Sequence, residues 1–173
     1  MTRHPRSAVS PRRPSALFLL PALLLAASLG TICLAQSAPI ESLTHFPRTT
    51  LDITAHGHTD HFEVWIADTP ARQEQGLMFV RDLPAGQGML FPEGSPQVAH
   101  FWMKNTYIPL DMVFVGKDGR IAKIIAGAKP FSLDVLSSDV PVIAVLELRG
   151  GEAAQLGLQA GDRVTWKPSA PSR

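Results

Sequence analysis

Of the six histidines in the 173 residues, three fall in one string, His56-Gly57-His58-Thr59-Asp60-His61. Imidazoles at this spacing can face one zinc ion, with the aspartate on a second, the H-x-H-x-D-H pattern of metal-dependent hydrolases. The rest of the chain does not complete such a centre. Those enzymes are larger than the 138 residues beyond position 35, and His100 is the only histidine that follows. The string therefore reads as a His-rich polar hairpin turn, and no metal ligands are assigned. A second group is Met78, Met89, Met103 and Met112, within 35 residues and with His100 and Trp102 among them. Thioether and imidazole ligands suit Cu(I). Methionine also fills gaps in a small core, and core packing is the expectation; a Cu(I)-binding protein using Met, His and Trp is kept as an alternative.

The third group is Trp102-Met103-Lys104-Asn105-Thr106, followed by Leu110-Asp111. On an extended strand His100, Trp102 and Lys104 share one face, and Phe101, Met103 and Asn105 share the other. If Phe101 and Met103 enter the core, the first face becomes an exposed aromatic-cationic stripe, suited to an anionic or sugar-like ligand. The plain alternative is a half-buried Trp102 beside a solvated Lys104. Asn105 and Asp111 either join the ligand or bond the connecting turn. Trp102, Lys104, Asn105 and Asp111, with Met78 and Arg81 nearby, are the candidate ligand-binding residues. There is no G-x-S-x-G, P-loop or dinucleotide glycine pattern. Glu74, Asp111, Asp134 and Glu147 are the available acid/base carboxylates. Glu147 ends an apolar run, where burial would raise its pKa, although a strand-end charge is the commoner role. A hydrolase or lyase using Asp111 or Glu147 with Lys104 or His100 is the enzymatic alternative. No catalytic residue and no cofactor is assigned.

These residues need short strands to position them. Leu51–Ala55 and Phe62–Ile66 read as a hairpin about His56–Asp60. Asp68-Thr69-Pro70 opens a short helix over Ala71–Gln75 that Gly76 closes. Leu83–Gly88 reads as a loop and Pro92–Gln97 as a turn-rich break. Val98–Met103, Ile108–Val115, Arg120–Ile125, Val140–Leu148 and Arg163–Trp166 read as further strands, with a helical turn at Glu152–Leu156. The pattern predicts a mainly β fold, a compact β-barrel or jelly-roll-like sandwich with one or two short helices.

Charge divides the chain. Residues 1–35 hold four arginines, no acid and the sole cysteine, Cys33, while the remainder holds 12 basic and 15 acidic residues. A nucleic-acid binder is not expected from that mildly acidic remainder. Residues 16–35 are uncharged and end in Cys33-Leu34-Ala35 behind a positive start, which reads as a secretory signal peptide. An uncleaved membrane anchor is the alternative. Lipidation of Cys33 and a twin-arginine route fit the flanking residues less well. Cleavage would leave a cysteine-free protein without disulfides. Residues 36–48 read as a linker, 49–167 as the domain and 168–173 as a disordered tail. The expected location is extracytoplasmic or periplasmic, with membrane contact only through an uncleaved leader.

Gly76-Leu77-Met78-Phe79, Gly88-Met89-Leu90-Phe91, Phe101–Thr106, Ile108–Asp111, Leu146-Glu147-Leu148 with Gly150-Gly151, and Gly161-Asp162 together resemble the DUF192 (UPF0127) family. Ala67-Asp68-Thr69 fits its opening, and the likeness runs over residues 61–166. The resemblance implies a compact, mainly β domain, often exported. It implies no activity, so no functional residue is carried over. The expectation is an exported binding or accessory module whose partner is a small ligand or a protein.

Overall fold

The computed structural model describes residues 39–167. The signal or anchor read over 1–35, the start of the linker and the tail from Pro168 lie outside the described residues. Among the described residues no helix is long and apolar enough to cross a membrane.

Among the described residues seven strands form one curled sheet: β1 (Arg48–Ala55), β2 (His58–Ile66), β3 (Gln87–Phe101), β4 (Leu110–Gly116), β5 (Ile121–Ala128), β6 (Leu136–Arg149) and β7 (Arg163–Trp166), in the order β5-β4-β6-β3-β2-β1-β7. The mainly β expectation holds, and the single sheet selects the barrel-like reading over the two-sheet sandwich. The two ends of that order meet. Arg120 bridges Arg163, Ile121 N–H donates to Asp162 O at 2.8 Å, and Val164 N–H donates to Gly119 O at 2.8 Å.

Period-two alternation gives the sheet two apolar faces. Leu51, Ile53, Phe62, Val64, Val113, Val115, Leu146, Leu148 and Val164 share one core. Met89, Phe91, Met112, Phe114 and Val145 enter another, completed by Phe46, Leu77, Leu83 and Met103 from the connections. β4 is buried along its whole length because both faces are covered. The hairpin turn is only His56-Gly57, both at positive φ (50° and 82°), as a two-residue primed turn requires. His58–Asp60, read as part of the turn, are already in β2.

β2 and β3 pair in parallel, so residues 67–86 must cross the sheet to connect them. Helix α1 (Pro70–Gln75) lies in that crossover. Thr69 caps it by accepting from Arg72 N–H at 3.3 Å, and Gly76 ends it at φ 50°. The segment before β1, read as linker, is tied to this helix. Arg72 donates to Glu41 through Nε and Nη2 at 3.1 and 2.8 Å and to Asp68 at 2.7 Å, with its guanidinium over the Phe46 ring.

β3 departs from the expected pattern. Pro92, Gly94 and Pro96 signal a break, yet the strand runs from Gln87 to Phe101. The ladder to β6 steps from Pro92↔Ala144 to Gln97↔Val142, so the extra residues of β3 bulge out without ending the strand. Near its start Gly88 is wedged between β2 and β6. A Cβ there would stand 2.5 Å from the Glu147 carbonyl oxygen, which is backbone and cannot yield locally. Gly88→Ala is expected to cost about 3 kcal/mol through forced separation of β3 from β6. Chemical denaturation checks this, and a loss under about 1 kcal/mol would show that the strands tolerate the methyl.

Candidate functional site

A cleft of about 250 Å³ opens on the face of the sheet covered by the second core. Its walls are α1 with the following turn (Gln73–Met78), the outer stretch of β3 and the turn after it, and its floor includes Glu147. On β6, Glu147 shares a face with Val145 and pairs in register with Met112 of β4 and Met89 of β3. A carboxyl therefore occupies a position that its neighbours fill with core residues. It is 4% exposed, and its Oε2 has no hydrogen-bond partner among the described residues. Burial alone pushes its pKa up, to about 8. Such a group is a protonated carboxyl at neutral pH, able to donate one hydrogen bond, and becomes a carboxylate when a base or water takes that proton, a loss that a bound cation favours.

Gly76 keeps the cleft open at its inner end. Its φ of 50° disfavours a side chain, and a Cβ would sit 3.3 Å from the Phe91 ring and 4.0 Å from Glu147 Oε2. Phe91 packs edge-on against Phe101, with centroids 5.0 Å apart. Trp102 is 47% exposed and offers its ring to the cleft mouth, with Lys104 Nζ at 5.1 Å from the centroid. Glu74, Glu93 and His100 complete the titratable lining.

The strand alternation proposed for this region is half right. Met103 is buried and Phe101 packs on the core, while His100, Trp102 and Lys104 line the cleft. The strand itself ends at Phe101, and Trp102–Lys104 lie in the turn that follows. Backbone hydrogen bonds hold that turn in place. Met103 N–H donates to Ser132 O at 3.0 Å, Phe79 N–H to Asn105 O at 2.9 Å and Phe131 N–H to Thr106 O at 3.2 Å. Asn105, Phe79 and Phe131 all sit at positive φ in this stitch.

Of the six residues read as ligand-binding, three line the cleft: Trp102, Lys104 and Met78. Asn105 lines an adjoining hollow with Met78, Glu74 and Gln75, and its Nδ2 lies 3.8 Å from the Met78 sulfur. Arg81 is absent from the cleft lining and stacks its guanidinium on Tyr107 at 4.6 Å. Asp111 is a structural group. It is fully buried on the opposite face of the sheet from Glu147, where it accepts from the N–H groups of Gly127 (2.7 Å), Gly151 (3.0 Å) and Ala153 (2.9 Å). The pairing of Asp111 with Lys104 or His100 is therefore removed, and Glu147 is the carboxyl that shares a cleft with both. Gln73, Glu74, Phe91 and Glu93 are the lining residues the motif reading missed or left unplaced. Glu74 was a candidate carboxylate, but nothing in one dimension joined it to residues 93 and 147.

The methionine group divides. Met89, Met103 and Met112 are core residues, and Met78 alone of the four lines the cleft. The histidine string divides too. His56 Nε2 lies 3.2 Å from Gly157 O, His61 bonds Asp52 across the hairpin at 2.7 Å, and His58 faces Asp60. Among the described residues no group of three or more His, Cys, Asp or Glu side chains is placed to hold a metal ion.

Comparison with known proteins accords with this fold. A structure of a Sinorhizobium meliloti 1021 protein, provisionally named a transcription regulator, is 40% identical with a TM-score of 0.68, over 70% of this chain and 95% of that one. A protein of unknown function from Novosphingobium aromaticivorans DSM 12444 is 39% identical with a TM-score of 0.70, over 76% and 94%. No curated protein matches. The DUF192 family, described as Uncharacterized ACR, matches residues 51–166, which span all seven strands apart from Arg48, Thr49 and Thr50 at the start of β1, and carry Glu147 and the whole cleft from Gln73 to Thr106. The chain is a member of the DUF192 family.

Proposed function

We propose that this domain is an extracytoplasmic module that binds a small ligand in the Glu147 cleft. One observation carries the reading: a buried carboxyl oxygen without a partner faces a hollow walled by Trp102, Met78 and Phe91. An unsatisfied buried polar atom costs stability, and a ligand that pairs with it recovers that cost on binding. The stitched turn supports the reading, because it presents Trp102 and Lys104 without first having to order them. The uncharged run at 16–35 behind four arginines supports export. The regulator name of the S. meliloti relative does not bring nucleic acid into the proposal, since 15 acids against 12 bases beyond residue 35 give no phosphate-binding excess.

A fragment library screened by amide chemical shifts tests the site. Shifts should cluster at residues 73–78, 100–106 and 147; hits confined elsewhere would overturn the assignment. Expression of the full chain in a bacterial host, followed by fractionation, should place it outside the cytoplasm, and a cytoplasmic pool of full-length mass would overturn the location.

A further inference from the structure

We propose that the ligand of this cleft is an organic cation, a primary or substituted ammonium carried on an apolar or aromatic body. The inference rests on the cleft-binding reading above and names its ligand class. The stripe of His100, Trp102 and Lys104, taken alone, suggests an anion. Folding changes the balance, because the cleft also gathers Glu74 from α1, Glu93 from β3 and Glu147 from β6. Three carboxyls then face one lysine and one histidine.

The decisive group is Glu147. It is 4% exposed and its Oε2 is unpartnered, so it favours a ligand that brings both a positive charge and N–H donors. An anion brought to the same floor would meet a buried carboxyl that can offer it only one proton and that repels it once ionised. The walls suit the body of such a cation. Phe91 and Phe101 are apolar, Met78 is polarizable, and Trp102 presents a ring face at the mouth. That face already takes a cation, since Lys104 Nζ stands 5.1 Å from its centroid. Lys104 is thus a tethered occupant of one subsite, held over the ring until a ligand displaces it.

A consequence of sign follows. For a cationic ligand Lys104 competes and repels, so its removal strengthens binding. For an anionic ligand Lys104 attracts, so its removal weakens binding. Glu147 must also give up its proton to meet an ammonium, so binding should release a proton and tighten with pH. The other titratable groups facing it are Glu74, Glu93, His100 and Lys104. The Glu147 variant separates its own contribution from theirs.

The experiment uses three probes of one shape: 2-phenylethylammonium, 2-phenylethanol and 3-phenylpropanoate. Each is titrated against the folded protein by calorimetry and amide shifts between pH 6 and 9, where an alkylammonium stays charged. The ammonium should bind in the cleft at least tenfold more tightly than the other two at pH 9, and should lose about tenfold or more at pH 6. E147Q should remove most of that affinity and its pH dependence, and K104M should raise affinity by a few fold. Circular dichroism of both variants confirms that they fold. Tighter cleft binding of the alcohol or the carboxylate, or weaker ammonium binding in K104M, overturns the cationic ligand and leaves the binding cleft standing. A cleft that responds neither to these probes nor to the fragment library overturns both.

Discussion

Replacing Asp111 with alanine is expected to remove about 3–5 kcal/mol of unfolding free energy, because three backbone N–H groups lose their acceptor in a dry site. One oxygen holds Gly127 and Gly151, and the other holds Ala153. Those donors belong to the end of β5 and to the turn that begins helix α2 (Glu152–Gln155). One carboxylate thus fastens two segments to the first residues of β4. Asp111→Asn should recover part of the loss, since the amide keeps one oxygen but turns a donor toward one of the N–H groups. Urea denaturation with backbone amide exchange at Gly127, Gly151 and Ala153 would check this. An alanine variant within about 1 kcal/mol of the parent would show that water replaces the carboxylate, and the fastening role would fail.

The second large effect concerns Glu147 and runs with pH. The folded chain holds the Glu147 proton up to about pH 8, whereas an unperturbed glutamate releases it near 4.5. Between those values the folded state binds more protons than the unfolded one, so unfolding free energy falls as pH rises and levels off above about 8. The whole window corresponds to a loss on the order of 5 kcal/mol. E147Q has no such proton to lose. Its stability relative to the parent should be similar at pH 5 and higher by a few kcal/mol at pH 9. Subtracting the two pH profiles removes the contributions of other titrating groups. Parallel profiles would mean that Glu147 reaches solvent or a partner in the folded state, and the case for the cleft would lose its carrying observation.

These two acids show where the sequence was legible and where it was not. Alternation of Leu51, Ile53 and Phe62, Val64, the Thr69-Pro70 helix start and the four residues of β7 were all readable, because each depends on neighbours a few positions away. The break at 92–97 was misread for a related reason. Proline and glycine report local backbone preference, but a bulge paired to β6 is a property of two strands. In the chain Asp111 stands close to Trp102–Thr106 and so reads as a ligand residue, yet register puts its side chain through the sheet. Glu147 reads both as a candidate acid/base carboxyl and, more commonly, as a strand-end charge. Its phase with Val145, inside an apolar run, was the available sign that it points into a core. The cleft itself was not legible, since it is assembled from segments at 73–78, 91–106 and 147 that only the parallel crossover and β6 bring together.

The seam between the first and last strands has a consequence for folding. Leu51 of β1 pairs with Trp166 of β7, and Thr49 reaches the carbonyl of Lys167 at 3.1 Å. The outer edge of β1 therefore stays open until the four residues of β7 dock on it, and the Arg120–Arg163 bridge cannot close before then either. A fold built this way cannot complete its curl through local contacts alone. Until β7 docks, the edge of β1 is an unpaired template on which another strand can add, so the short final strand protects the fold from edge-to-edge association.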